Sequence, residues 1–294
     1  GNSPRIVDGV RKTPRFFREL KRLRTDYPET AIVNNIDEAK AAAAKIGYPV
    51  VVKPLRGFGG ASIRIALNSK EMERVFPEYS FFGEEMLIQK FINGLHVSIS
   101  LLTTNKDVKV LTINKQLLGL HFLFQQEPFG YCGNIVPLRV TDSTFEKCKR
   151  IAEKIALNFG LQGSNGIDLV ISKEGTPYVI EVNPRFQGSL ECVERVLGIN
   201  LVRAHINACL HGSLPSIKEK TSTFCTRLIL YSPKRIITPD LTSFRDVRDV
   251  PLPESVIEKG EPLCSIITEG KNRNFSFQNA RKLAESIYNM LNPA

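Results

Sequence analysis

No stretch of this chain approaches the roughly 20 consecutive apolar residues that cross a bilayer. Its first residues carry no secretory signal pattern. Close cysteine pairs are also missing: the six cysteines stand apart at 132, 148, 192, 209, 225 and 264, and the four histidines do not cluster. That spacing fits reduced thiols in a cytosolic protein better than a disulfide framework or a zinc site. Internal repeats and low-complexity tracts are absent as well. What remains is a chain of 294 residues, 42% hydrophobic and 24% charged. Such a chain is long enough for one large or two modest domains with a buried core.

The net charge of +10 raises the question of a nucleic-acid partner, and its distribution answers it. Residues 1–24 hold eight Lys or Arg against two acids, a net +6 in that segment alone. With Thr13 as N-cap, Pro14 in the first turn and Phe16, Phe17, Leu20 and Leu23 on one side, the segment predicts an amphipathic helix. Its basic residues then form a solvated face. No aromatic-and-basic interleaving elsewhere supports a nucleic-acid site.

Strands and helices mix without strict alternation, which predicts α+β layers and not one doubly wound sheet. Asn34 or Asn35 caps a helix through Ile46, closed by Gly47. Residues 49–54, 62–67, 86–92, 97–102 and 109–114 read as strands, and Ser69 as the cap of a short helix. Ser143 with Glu146 suggests a capping box ahead of the apolar stripe Phe145, Cys148, Ile151, Ala152, Ile155 and Phe159, which ends at Gly160. Helices follow near 189–197 and 201–210. Beyond residue 215 the spacing predicts a strand at 224–231, a hairpin over 257–268 around Lys259-Gly260-Glu261, and a closing helix at 278–291. This last region reads as a small accessory domain without chemistry.

Two segments carry chemistry. In YVIEVNPR (178–185) a period of two puts Glu181 and Asn183 on one face, with Arg185 just past Pro184. In GIDLVIS (166–172) Asp168 lies on the strand before. If Glu174 and Gly175 are the two central turn residues, Lys173 faces Thr176 and Asp168 falls opposite Glu181, with Cβ atoms roughly 5 Å apart. Two carboxylates and an amide oxygen together suit a hard cation such as Mg²⁺. A slip of one residue would separate them, so this reading commits to a register; the alternative is an ordinary exposed hairpin face. Upstream, Lys53 ends an apolar strand and R-G-F-G-G-A-S follows at 56–62. Glycines let backbone N–H groups approach phosphate oxygens. The Lys precedes the glycines, so this is no Walker loop, and a strand follows, so it is no dinucleotide fingerprint. A plain hairpin turn is the alternative, and the combination with the acidic cluster tips the balance.

That combination resembles the ATP-grasp superfamily over nearly all of residues 1–212. The matching blocks are GNSP (1–4), Lys12, GYPVVVKP (47–54), RGFGGASI (56–63), LIQKFINGLHVSIS (87–100), GIDLVI and IEVNPR. KQLLG (115–119), FGYCGNIVP (129–137) and NPRFQGSLE (183–191) look like the branch of ATP-dependent carboligases related to tyramine–glutamate ligase. The resemblance implies that Lys12 and Lys53 hold ATP phosphates under a flexible turn of Gly57, Gly59 and Gly60, with Ser62 in the same nucleotide-binding block. It implies that Gln89, Lys90, Phe91 and Ile92 read the adenine edge through their backbone. Asp168, Glu181 and Asn183 would be the magnesium ligands, with Mn²⁺ as a substitute, and Arg185 the cation beside the transferred phosphoryl group. His96 departs from the pattern: many members carry an acid there for ribose, although a His can still donate a hydrogen bond. Lys115, Gln116, Tyr131, Asn134 and Gln187 lie in blocks flanking the phosphates.

The implied activity is a cytoplasmic, ATP-dependent carboxylate–amine ligase working through an acyl phosphate, with small-molecule substrates and neither nucleic acid nor membrane as partner. A silent ATP-binding regulatory module and an ATP-grasp kinase or carboxylating subunit are the alternatives. The expected organisation is a basic helical segment at 1–29, the small lobe at 30–93, the large lobe with the metal site at 94–214 and the accessory domain at 215–294. Members normally carry an N-terminal domain before the GNSP block; the natural protein is expected to be longer, or a partner or second copy to supply that surface.

Overall fold

The computed structural model describes residues 1–11, 14–55, 57, 59–60, 62–76, 85–217 and 222–291. Two helices open the chain, α1 (Pro4–Gly9) and α2 (Pro14–Arg22). α2 buries Phe16 and Leu20 completely, while Arg15, Arg18, Lys21 and Arg22 stay exposed. Burying side chains of that size stabilises by roughly 1.5–3 kcal/mol each, so the apolar stripe docks the helix and the basic side faces solvent. Its expected N-cap, Thr13, lies outside the described residues.

The small lobe is a four-stranded antiparallel sheet of β1 (Thr30–Val33), β2 (Val50–Pro54), β3 (Arg64–Ala66) and β4 (Met86–Lys90), in the order β1-β4-β2-β3. Helices α3 (Ile36–Ile46) and α4 (Ser69–Val75) cover it. Asn35 caps α3 by accepting from the Glu38 N–H, as the sequence predicts. α4 starts one residue earlier than expected: Asn68 is the cap and Ser69 the first helical residue. Asn and Ser are equally good caps, so propensity could not choose between neighbours. The lobe has its own core, including Val33, Ala39, Val50, Val52, Met72 and Ile88.

The large lobe is one antiparallel sheet. Its strands are β5 (Gly94–Thr103), β6 (Val108–Leu118), β7 (Tyr131–Val136), β8 (Gly163–Ser172), β9 (Pro177–Asn183), β10 (Phe224–Tyr231), β12 (Val247–Arg248) and β14 (Pro262–Gly270). They lie in the order β12-β14-β10-β7-β6-β5-β8-β9. β11 (Ile236–Ile237) and β13 (Val256–Ile257) form a separate pair. Helices α5 (Asp142–Phe159), α6 (Leu190–Leu197), α7 (Leu201–His211) and α8 (Arg273–Leu291) pack against this framework. The α5 cap is Thr141, accepting from the Thr144 N–H, two residues before the expected Ser143. Along β5, Val97, Ile99 and Leu101 enter the core shared with α2 and α5, so the alternate Ser98 and Ser100 face the other way.

Beyond residue 215 two expectations change. The hairpin over 257–268 does not form: Gly260 makes the turn at φ +83°, but β13 pairs with β11 and β14 with β10. Pairing partners distant in sequence outcompete the local one. The C-terminal strands also continue the main sheet, because β10 pairs directly with β7. What changes near residue 215 is the core: Leu117, Cys132 and Ile135 join Leu228, Ile266, Ala284 and Ile287 in a cluster of their own.

Candidate active site

The two sheets face each other across a cleft of about 1380 Å³, the open solvent at its mouth included. Most residues named from sequence line it: Lys53, Gly57, Gly59, Gly60, Gln89, Lys90, Phe91, Ile92, His96, Asp168, Glu181, Asn183 and Arg185. Gln116, Tyr131, Asn134 and Gln187 line it too, whereas Lys115 and Ser62 do not. Ser62 is held at φ +58°. Lys12 lies outside the described residues.

The acidic pair forms by a route the sequence did not suggest. The β8–β9 turn has three residues, 173–175, closed by Ser172 N–H to Thr176 O at 2.9 Å. With that turn Ile171 pairs with Pro177 and Leu169 with Val179, one residue out of the expected register. A bulge at Ile180 then restores it, and Asp168 stands opposite Glu181 with Asn183 opposite Gly166. A bulge inserts one residue and re-aims those that follow. Val179 and Val182 point into the core, while Ile180, Glu181 and Asn183 face the cleft.

Burial, then the charge and hydrogen bond of Glu181, push the Asp168 carboxyl well above the ordinary range, although Gln116 and Asn183 oppose this by donating to it. The Asn183 Nδ2–H reaches Asp168 Oδ2 at 3.1 Å. Two facing carboxylates in a half-buried cleft cannot both stay ionised cheaply; the pair holds a proton or accepts a cation. Among the described residues no three His, Cys, Asp or Glu gather in one place. Two carboxylates and an amide oxygen suit a hard, oxygen-seeking ion that completes its shell from phosphates, and not zinc.

Lys53 is 4% exposed. It donates to Gln89 Oε1 at 2.7 Å, Gln89 Nε2–H to Thr30 Oγ1 at 2.9 Å, and the Thr30 hydroxyl to Pro28 O at 2.7 Å. Gln89, expected to act through its backbone, thus fixes the lysine with its side chain. The backbone N–H groups of Lys90 and Phe91 donate to Glu29 O and Pro49 O. Burial, and secondarily the charge of Lys53, lower the pKa of His96, which keeps its ring neutral at pH 7. Arg185 is exposed; it donates to Phe186 O at 2.8 Å and to Asn183 Oδ1 at 3.5 Å.

Sequence reasoning missed Ser98, which pairs with Asp168 across β5–β8, and Ser189 and Phe129, which also line the cleft. The alternation of HVSIS marks Ser98 as facing away from the core, but its partner lies 70 residues on, where no local signal reaches. From the C-terminal region Arg227 donates to Gly188 O at 2.9 Å, behind the segment that carries Arg185 and Gln187.

A family model for the ATP-grasp domain matches residues 14–189. An uncharacterized protein of Methanocaldococcus jannaschii is 27% identical over 291 residues, covering 98% of this chain and 66% of the relative. The carbamoyl phosphate synthase large chain of Pyrococcus furiosus is 29% identical over 218 residues, covering 73% of this chain and 20% of the relative. This chain therefore spans about two thirds of the first and a fifth of the second. Among solved structures, a biotin carboxylase in complex with a βγ-ATP compound from Campylobacter jejuni superposes with a TM-score of 0.77 at 20% identity, over 98% of this chain and 68% of that one. An L-amino acid ligase from Bacillus licheniformis gives 0.75 at 18% identity, over 98% and 73%. These likenesses are to the fold.

Proposed function

The chain belongs to the ATP-grasp family, and on that footing we propose that it is an ATP-dependent carboxylate–amine ligase working through an acyl phosphate. The observation that carries this reading is one cleft lined together by the acidic pair Asp168 and Glu181, by Asn183, by Lys53 and Arg185, and by Gly57, Gly59 and Gly60. Apolar Val51, Phe91, Ile92, Leu169 and Ile180 among the lining suit a flat base. Since Lys90 and Phe91 N–H groups are engaged, base recognition falls to other groups of that segment. Neutral His96 offers a hydrogen bond to ribose.

In the first step a carboxylate oxygen of the substrate attacks the γ-phosphorus of ATP, the bond to the β-phosphate oxygen breaks, and ADP leaves. Lys53, pre-aimed by Gln89, and Arg185 neutralise charge on the phosphoryl oxygens; positioning and neutralisation are what such transfers require. Asp168, Glu181 and Asn183 would hold Mg²⁺, which would supply positive charge against that of the phosphates. In the second step an amine attacks the acyl carbon, the carbon–oxygen bond to phosphate breaks, and an amide, phosphate and a proton result. Gly57, Gly59 and Gly60 cover the phosphates and keep water from the acyl phosphate. A cytoplasmic site of action accords with this use of ATP and reduced thiols.

The test is ADP release from ATP with Mg²⁺, with and without pooled small carboxylic acids and amines. Release that needs both pools supports the ligase. Release that needs bicarbonate without an amine would replace it with a carboxylating activity, and nucleotide binding without turnover in any pool would leave a regulatory module.

A further inference from the structure

The loop between β6 and β7 touches the small lobe at two points. The Tyr131 backbone N–H, at the start of β7, donates to Gly59 O at 2.9 Å. Arg64, at the start of β3, makes a two-pronged ion pair with Glu127: Nη1 to Oε2, and Nη2 to Oε1 at 3.3 Å. Between these contacts Gly60 passes so close under the loop that a Cβ there would sit 1.8 Å from Phe129 O, and its φ is +76°.

The loop is braced from within and behind. Gly130 N–H donates to Glu127 O, Gly119 N–H to Gly130 O, and Glu127 N–H to the Gln125 side chain, at 2.8–2.9 Å. The Tyr231 hydroxyl, on β10, donates to Tyr131 O at 2.6 Å. Tyr288, on α8, both accepts from Tyr231 N–H and donates to Tyr231 O. A lone, partly exposed ion pair contributes little. This one is bidentate and hence directional, and it acts in parallel with the Tyr131–Gly59 bond, which forms only when the lobes are in register.

We propose that Arg64 and Glu127 are a positioning pair that clasps the glycine turn to the β6–β7 loop and so sets how long a nucleotide stays beneath it. The clasp follows from contacts alone; the effect on residence rests on the nucleotide-binding reading above. The C-terminal strands and α8 acquire a role in this scheme, as the anvil on which the clasp closes.

Backbone amide exchange of the full chain, read residue by residue by NMR without nucleotide, tests the clasp directly. In Glu127→Gln and Arg64→Gln, Tyr131 should exchange roughly five- to tenfold faster, and the double variant no faster than either single. Gly119, bonded within the large lobe, should not change. Unaltered Tyr131 exchange, or additive effects, would overturn the proposal. Gly60→Ala provides a second route, because its Cβ must push the turn off Phe129 O. Stopped-flow release of the fluorescent analogue mant-ATP with Mg²⁺ then tests residence: Glu127→Gln should release it faster by a similar factor at an unchanged melting temperature. Unchanged release from a variant whose Tyr131 exchanges faster would remove the functional half. A wild-type chain that binds no mant-ATP would instead sink the nucleotide-binding reading, with amide exchange still deciding the clasp.

Discussion

At the scale of single residues, the pairing of Asp168 with Glu181 sets function against stability. In the metal-free protein Asp168 carries a pKa well above the ordinary range because it is buried and faces a second carboxylate. The folded state then binds more protons than the unfolded one. The favourable contribution is complete below the ordinary carboxylate pKa and is lost as pH rises through the elevated one. Glu181→Gln removes the like charge. It should cost about 10²–10³-fold in Mg²⁺-dependent turnover, raise the metal-free melting temperature by about 2–4 °C and flatten its fall with rising pH above 4. Calorimetry across a pH series checks all but the first; a Glu181→Gln protein with wild-type turnover would remove the metal assignment. Lys53 carries a related lesson. The sequence marked it by its place at a strand end, but not the Gln89–Thr30 chain that aims it, since that chain links residues 23 and 36 positions away.

At the scale of elements, helix ends were readable to within a residue or two because caps are local: Asn35 and Gly47 bound α3 where the pattern put them, whereas the α4 and α5 caps, Asn68 and Thr141, stand one and two residues before the expected Ser69 and Ser143. The acidic hairpin was readable only in its outcome. A two-residue turn and a regular ladder give the same Asp168–Glu181 pairing as the real three-residue turn and Ile180 bulge, because the two single-residue offsets cancel. The hairpin over 257–268 failed for the opposite reason, its turn being local and its partners remote. The bulge yields a prediction. Deleting Ile180 leaves Val179 opposite Leu169 and brings Glu181 opposite Asp168 without a bulge, so Mg²⁺ dependence should persist. Because Ile180 also lines the cleft, nucleotide affinity should fall roughly tenfold. Titration calorimetry with and without Mg²⁺ reads both quantities, and loss of the metal dependence would contradict the register.

At the scale of the whole molecule, the chain divides by core and not by sheet. The small lobe encloses a core drawn from one contiguous stretch of sequence, whereas the large sheet runs through the boundary near residue 215 without interruption. Cooperative units follow shared packing, so the region beyond 215 should melt together with the large lobe in a scanning calorimeter. That β7–β10 seam has a practical consequence for anyone shortening the gene. A fragment ending near 215 would turn Gly133–Val136 into a raw strand edge with its N–H and C=O groups bare. It would also uncover Leu117, Cys132 and Ile135. Such an edge is a template for pairing with another copy, so the truncated chain should elute as aggregate where the full chain does not.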